Sequence, residues 1–228
     1  MQARAHVVWD WNGTLFDDFD ITVRAASAAC VEIGAGPVDH DTYRRSFTRP
    51  VRSFYERLIG RGLVDDEWHA LAEVYHAHYR RLLPNARLRG EAVDVLARLA
   101  DAGVTQSLLS MSEHDELLEI VGAHGIGETF LVVEGAHPET RAASKHEALR
   151  RHVAGLEQYR GMPVRAEDVV LIGDTLDDSE AAASVGAACV LLADGSYDPA
   201  HASERGLAVE ADLVAAAESG LRLVAAPE

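Results

Sequence analysis

Apolar and polar positions fall into two alternating rhythms along this chain. Five short runs are rich in aliphatic and β-branched residues: HVVWD at 6–10, VTQSLLS at 104–110, TFLVV at 129–133, DVVLIGD at 168–174 and AACVLLAD at 187–194. Runs of that length, apolar on consecutive positions, suit strands covered on both faces. Between them, segments near 89–102, 113–123, 143–154 and 177–185 place apolar residues at helical spacing. The alternation predicts an α/β fold with a buried parallel sheet. Further on, LAVEA at 207–211 reads as a last edge strand and DLVAAAESG at 212–220 as a closing helix.

One stretch breaks the rhythm. From about 17 to 86 the pattern is helical throughout, as in ITVRAASAACVEIG and DEWHALAEVYHAHYRRLL, and no strand is evident. The expected organisation is therefore an α/β core from residues 1–16 and 87–228, with residues 17–86 inserted after the first strand as an all-helical cap.

Composition narrows the function more than the fold. With 228 residues, 48% hydrophobic and 25% charged, the chain can bury a substantial core. No apolar run approaches the roughly 20 residues that span a bilayer. The N-terminus enters a strand almost at once without the apolar region of a secretion signal, so a cytoplasmic protein with no membrane partner is expected. Cys30 and Cys189 are far apart and read as packing residues. The formal net charge of −16, with basic residues paired at most, argues against a nucleic-acid groove and for a small-molecule partner. A monomer or homodimer is expected. Of the 21 basic residues, only Lys145 is a lysine.

In an open parallel sheet the carboxyl ends of the strands converge on one crevice. The residues at those ends are Asp10, Ser110 and Asp174, and Lys145 opens the helix after the TFLVV run. Taken singly, Asp10 or Ser110 is equally well a capping residue. A carboxylate, a hydroxyl, a second carboxylate and an ammonium at matching topological points form a constellation.

These residues carry a resemblance. DWNGT at 10–14 matches the D-x-D-G-T motif of the haloacid dehalogenase superfamily except at its third residue. Ser110 in SLLSMS, Lys145 in AASKHEALRR, and Asp174 and Asp178 in GDTLDD match its other motifs in order. The chain is similar to the Mg²⁺-dependent phosphohydrolases of that superfamily, and nearest to the phosphoglycolate phosphatase-like enzymes. The resemblance implies a Rossmann-like core, a helical cap where residues 17–86 lie, a small phosphorylated substrate and Mg²⁺ as cofactor.

The chemistry is plain in the residue types. Asp10 can attack phosphorus and form an acyl phosphate, dividing one displacement into two. Its second oxygen, Asp174 and the main-chain carbonyl of Asn12 offer hard oxygen donors to Mg²⁺. Lys145, the Ser110 hydroxyl and the backbone N–H groups of Asn12 and Gly13 are expected to bind the transferring phosphoryl. Gly13 lets the backbone come close, and Thr14 can tie the loop. Asp178, one helical turn after Asp174, is expected to hold Lys145 or a metal-bound water, and Asp177 to face solvent. Arg49 and Arg52 in FTRPVRS are candidates to meet an anionic substrate, against the plain alternative of a solvated surface. His76 and His78 diverge at i, i+2 and do not read as a metal pair; Trp9 and Trp11 read as packing.

The departure is Asn12. In the resembled family an Asp there protonates the leaving group and then activates water. An amide exchanges no proton near neutrality, yet leaves the main-chain carbonyl free for a metal. General acid–base help is worth about 10² to 10⁴ in rate, or roughly 3 to 5 kcal/mol. Three readings stay open: a slow phosphatase, one that acts on good leaving groups such as acyl phosphates, or a phosphate-ester binding protein without turnover. The expected cap contains no lysine, which argues against Schiff-base chemistry.

Overall fold

The computed structural model describes residues 5–137, 144–161 and 164–225. Strand β1, His6–Trp9, is buried throughout and ends one residue before Asp10. It lies inside a six-stranded sheet with β4 (Thr105–Glu113), β5 (Val133–Ala136), β6 (Val169–Gly173), β7 (Ala188–Leu192) and β8 (Ala208–Glu210). The order is β5-β4-β1-β6-β7-β8, and every pairing is parallel. From β1 the chain proceeds first to β4 and β5 on one side, then to β6, β7 and β8 on the other. The crevice at the carboxyl end of β1 is therefore the switch point at which such sheets bind ligands.

Alternation along the strands sorts the core into two faces. Val7 and Trp9 of β1 and Val170 and Ile172 of β6 share one face with Val95, Leu96 and Leu99 of α5 (Ala92–Asp101) and Leu213 and Ala216 of α10 (Leu213–Ala225). Val8, Leu109, Val169 and Leu171 face the other way, against α7 (Lys145–Arg160) and α8 (Leu176–Val185). A fully buried leucine such as Leu149 of α7 contributes about 1.5–3 kcal/mol. Under the sheet, Glu134 Oε2, His152, Ser107 Oγ and His6 form a hydrogen-bonded chain with links of 2.7–2.8 Å, so these buried polar groups are partnered.

The helical insertion contains α1 (Phe19–Glu32), α2 (His40–Ser46), α3 (Val51–Ile59) and α4 (Asp65–Leu82). It has its own core: Val23, Ala26, Ala29 and Cys30 of α1 pack with Tyr43, Phe54, Tyr55 and Leu71. The chain enters and leaves it through two short antiparallel strands, β2 (Phe16–Asp17) and β3 (Arg87–Leu88). Those strands are too short for any periodicity to announce them. Helix α6 (His114–Ala123) and the short α9 (Pro199–Glu204) complete the elements that bear on the site.

The TFLVV run differs from expectation. Residues 127–129 form a 3-10 turn and β5 begins only at Val133. Phe130 instead inserts its ring into the core, which accounts for the apolar character of the run without a strand. Among the described residues, no helix is long and apolar enough to cross a membrane.

Candidate active site

The register delivers the expected residues to one level. Trp9 lies opposite Leu108 and Ile172, so Asp10 follows on level with Leu109 and Gly173, beside Ser110 and Asp174. The Asp10 N–H donates to the Ile172 carbonyl at 2.9 Å, which continues the ladder up to the candidate carboxylate.

Two helix starts set the remaining groups. Ser144 caps α7 by accepting the Glu147 N–H at 3.3 Å, making Lys145 the first helical residue. Thr175 caps α8 in a reciprocal capping box: its hydroxyl accepts the Asp178 N–H at 3.3 Å, and Asp178 Oδ2 accepts the Thr175 N–H at 3.0 Å. The other Asp178 oxygen is left to meet Lys145 Nζ at 2.8 Å. Lys145 Nζ also donates to Asp10 Oδ1, and Thr14 Oγ1 donates to Asp10 Oδ2 at 3.2 Å.

Asp10, Asp174 and Asp178 are all buried, each with a carboxylate oxygen within 4.8 Å of the others. Burial pushes Asp10 up to about 6 against the opposing pull of Lys145, and burial, reinforced by the neighbouring Asp10 and Asp178, drives Asp174 well above the carboxylate range. Burial alone would drag the Lys145 ammonium down, but Asp10 and Asp178 outweigh it and hold the group above its usual value. For Asp178 the same pairing overcomes burial and keeps it below the usual range. When all three carboxylates ionise, one ammonium offsets one charge. A buried oxygen cluster with that surplus suits a hard divalent cation.

Gly13 shows how tight the loop is. Its φ is +72°, and a Cβ there would lie 2.4 Å from an Asp174 carboxylate oxygen. Its N–H, expected to reach a phosphoryl oxygen, instead donates to Asp18 Oδ1 at 2.8 Å and to the Phe16 carbonyl at 2.9 Å. That expectation is corrected: the group is committed within the loop. Asp177 is corrected too. Its side chain is 15% exposed and faces Arg49 Nε of the insertion at 3.6 Å, so it does not simply point to solvent. Arg52 stays within the insertion, where it contacts Asp65 at 2.8 Å, Glu56 at 3.4 Å and the Leu63 carbonyl. Of the two candidate arginines, Arg49 is the one that reaches the core. Trp9 and Trp11 are buried; Trp11 stacks on Phe16 with ring centroids 4.9 Å apart.

Around Asn12 lie groups that sequence reading missed. Asn12 Nδ2 donates to Asp18 Oδ2 at 2.8 Å and meets the Tyr79 hydroxyl at 3.0 Å. Its Oδ1 accepts from Ser112 Oγ at 2.6 Å and from Ser110 Oγ at 3.4 Å. Asp18 is 2% exposed and also accepts from the Tyr79 hydroxyl at 2.6 Å; burial holds its carboxyl above the usual range. The buried carboxylate at 18 and the amide at 12 thus share one network, with no spacing rule to reveal it.

The chain is 28% identical over 201 residues to a phosphoglycolate phosphatase of Synechococcus elongatus, covering 87% of this chain and 86% of that one. In fold it is similar to protein tyrosine kinase A of Mycobacterium tuberculosis, with a TM-score of 0.73 at 23% identity over 99% of this chain and 100% of that chain. It is also similar to a HAD hydrolase, family IA, variant 3, of Entamoeba histolytica, with a TM-score of 0.72 at 15% identity over 96% and 99% of the two chains. Residues 7–192 match the haloacid dehalogenase-like hydrolase family, and with Asp10, Lys145, Asp174 and Asp178 inside that span, the chain belongs to it.

Proposed function

We propose that this protein is a Mg²⁺-dependent phosphatase of the cytoplasm, acting as a monomer or homodimer on a small phosphorylated metabolite through an aspartyl phosphate on Asp10. The similarity to a phosphoglycolate phosphatase supports the substrate class. The observation that carries the reading is the buried cluster of Asp10, Asp174 and Asp178, with Lys145 bridging Asp10 and Asp178. Asp10, Asp174 and the Asn12 main-chain carbonyl would hold the metal, which when bound withdraws charge from the phosphoryl oxygens. Asp10 Oδ attacks phosphorus, the P–O bond to the leaving group breaks, and Lys145 and Ser110 hold the phosphoryl oxygens; water then attacks the aspartyl phosphate, the Asp10 O–P bond breaks, and phosphate leaves with the carboxylate restored. An alkoxide needs a proton as it leaves and Asn12 has none to give; a carboxylate leaves without one. The site therefore favours acyl phosphates and turns over alkyl phosphates slowly.

A turnover screen of both ester classes with and without Mg²⁺ tests this. Mg²⁺-dependent release from acyl phosphates, much slower from alkyl phosphates, is the expected result. Binding of both classes with no turnover of either would favour a phosphate-ester binding protein, the reading to which the amide at position 12 lends weight.

Metal dependence would also register in stability. A carboxyl whose folded pKa is raised contributes stability at low pH that is lost as pH rises through the folded value, here from about 4 to 6 for Asp10. A divalent cation needs the ionised form and reverses that loss. Saturating Mg²⁺ should raise the melting temperature by about 5–10 °C at pH 7.5 and by much less at pH 5. Equal shifts at both pH values would mean that the metal binds elsewhere.

Residues 17–86 would close over the site as a cap, with Arg49 exchanging Asp177 for the anionic tail of the substrate. Arg49→Ala is expected to raise KM for the true substrate by about 10-fold or more, with little effect on a small generic ester. Equal effects on both would assign Arg49 to packing.

A further inference from the structure

Arg89 stands outside every motif described above, yet it grips the nucleophile loop twice. It directly follows β3, where the chain returns from the insertion. Its backbone N–H donates to the Leu15 carbonyl at 2.9 Å, and Nη2 donates to the Gly13 carbonyl at 2.7 Å. The guanidinium, 14% exposed, also spans the Asp194 carboxylate in a two-pronged contact of 2.9 and 3.0 Å. Such a planar fork fixes orientation as well as charge, and a lysine cannot reproduce it.

Asp194 begins a turn that touches two other parts of the site. Ser196 N–H donates to the Asp174 carbonyl at 2.7 Å and approaches Asp174 Oδ2 at 3.3 Å. From the insertion, Arg44 donates to the Asp194 and Gly195 carbonyls, each at 3.1 Å, while its guanidinium lies 4.3 Å from the Phe19 ring centroid. The turn 194–196 therefore joins the nucleophile loop, the Asp174 carboxylate and the helical insertion.

We propose that Arg89, clamped by Asp194, is a positioning residue that sets the Gly13–Thr14 peptide, and that Arg44 extends this brace to the docked insertion. Fixing the Gly13 carbonyl fixes the following residue, Thr14, whose hydroxyl holds Asp10 Oδ2. Arg89 acts on Asp10 through that loop and touches no reacting atom. A misplacement of the nucleophile by about 1 Å costs on the order of 10²-fold in rate.

The inference rests on the phosphatase reading, so its test pairs turnover with a binding measurement that needs none. The probes are acetyl phosphate for turnover and beryllofluoride with Mg²⁺, a mimic of the phosphorylated carboxylate, for calorimetry. Arg89→Met is expected to lower kcat about 10- to 100-fold with KM within about 3-fold, and to weaken beryllofluoride binding by a similar factor. Asp194→Asn, which keeps the arginine but loosens its clamp, should move both quantities the same way by about 3- to 10-fold, and serves should Arg89→Met fail to fold. Arg44→Met combined with Arg89→Met should cost less than the product of the single effects. Unchanged beryllofluoride affinity in a folded Arg89→Met or Asp194→Asn protein would overturn the proposal. If the wild type binds beryllofluoride but turns over no acetyl phosphate, and the variants still bind it more weakly, the phosphatase reading falls and the positioning role stands.

Discussion

Asp10→Asn is expected to abolish turnover of every phosphate ester, a loss of at least about 10⁴-fold, while the protein still melts cooperatively within a few degrees of wild type. An amide of nearly the same volume can turn its oxygen to accept from the Lys145 ammonium and its Nδ2–H to donate to the Thr14 hydroxyl, but it cannot attack phosphorus. The buried ammonium of Lys145 keeps its 2.8 Å partner Asp178, so the substitution does not strand an unpaired charge. Removing a carboxyl that burial already pushes up to about 6 also relieves repulsion with Asp174 and Asp178. Stability and activity should therefore separate: a steady-state assay and a thermal melt on the same preparation decide the matter. An Asp10→Asn protein with wild-type turnover would remove Asp10 from the mechanism, whereas one that fails to fold would show that the cluster is a structural support first.

What could be read in the chain follows from how each feature is encoded. β1, β6 and β7 are covered on both faces, so they appear as near-continuous apolar runs whose ends point directly to Asp10 and Asp174. Lys145 is legible as the residue that opens a helix, and Asp178 through the family resemblance, one helical turn after Asp174; the caps that fix both are local. The start of β5 is not legible because apolarity signals burial, and Phe130 is buried from a turn. Arg49 and Arg52 share one helix start and differ only in what three-dimensional packing offers them: Asp177 of the core for one, Asp65 and Glu56 of the insertion for the other. Asp18, Tyr79, Ser112 and Arg89 meet the nucleophile loop from four separate elements. No periodicity records such a meeting. Asp17 and Asp18 illustrate the limit: the first is exposed and the second 2% exposed, although the sequence offers two adjacent aspartates of equal appearance.

Restoring a carboxyl at position 12 is expected to raise turnover of alkyl phosphates by about 10- to 1,000-fold and to change acyl phosphates much less, since both classes gain from activation of the water but only alkyl phosphates need a proton at departure. The size of the gain depends on Asp18. In Asn12→Asp the new oxygen replaces an Nδ2 that lies 2.8 Å from Asp18 Oδ2, so two buried carboxyls come within hydrogen-bond distance. They cannot both ionise there without a large penalty; they share a proton, and the upper of the pair's two apparent pKa values rises. The reaction needs that proton on the leaving-group side, so activity on alkyl phosphates should persist to higher pH than an isolated carboxyl would allow. In the double variant Asn12→Asp with Asp18→Asn, the partner becomes an amide that can donate to the ionised form, which lowers the pKa of the new carboxyl. Its pH–rate profile for kcat should fall off at least about one pH unit lower, with the gain at neutral pH correspondingly smaller. Both profiles must be taken at matched, saturating Mg²⁺, because a further carboxyl also strengthens attraction for the metal. Superimposable profiles would mean that Asp18 does not sense position 12. An Asn12→Asp protein no faster than a wild type that already hydrolyses alkyl phosphates rapidly would mean that another group delivers the proton, and that the amide at position 12 is no impediment.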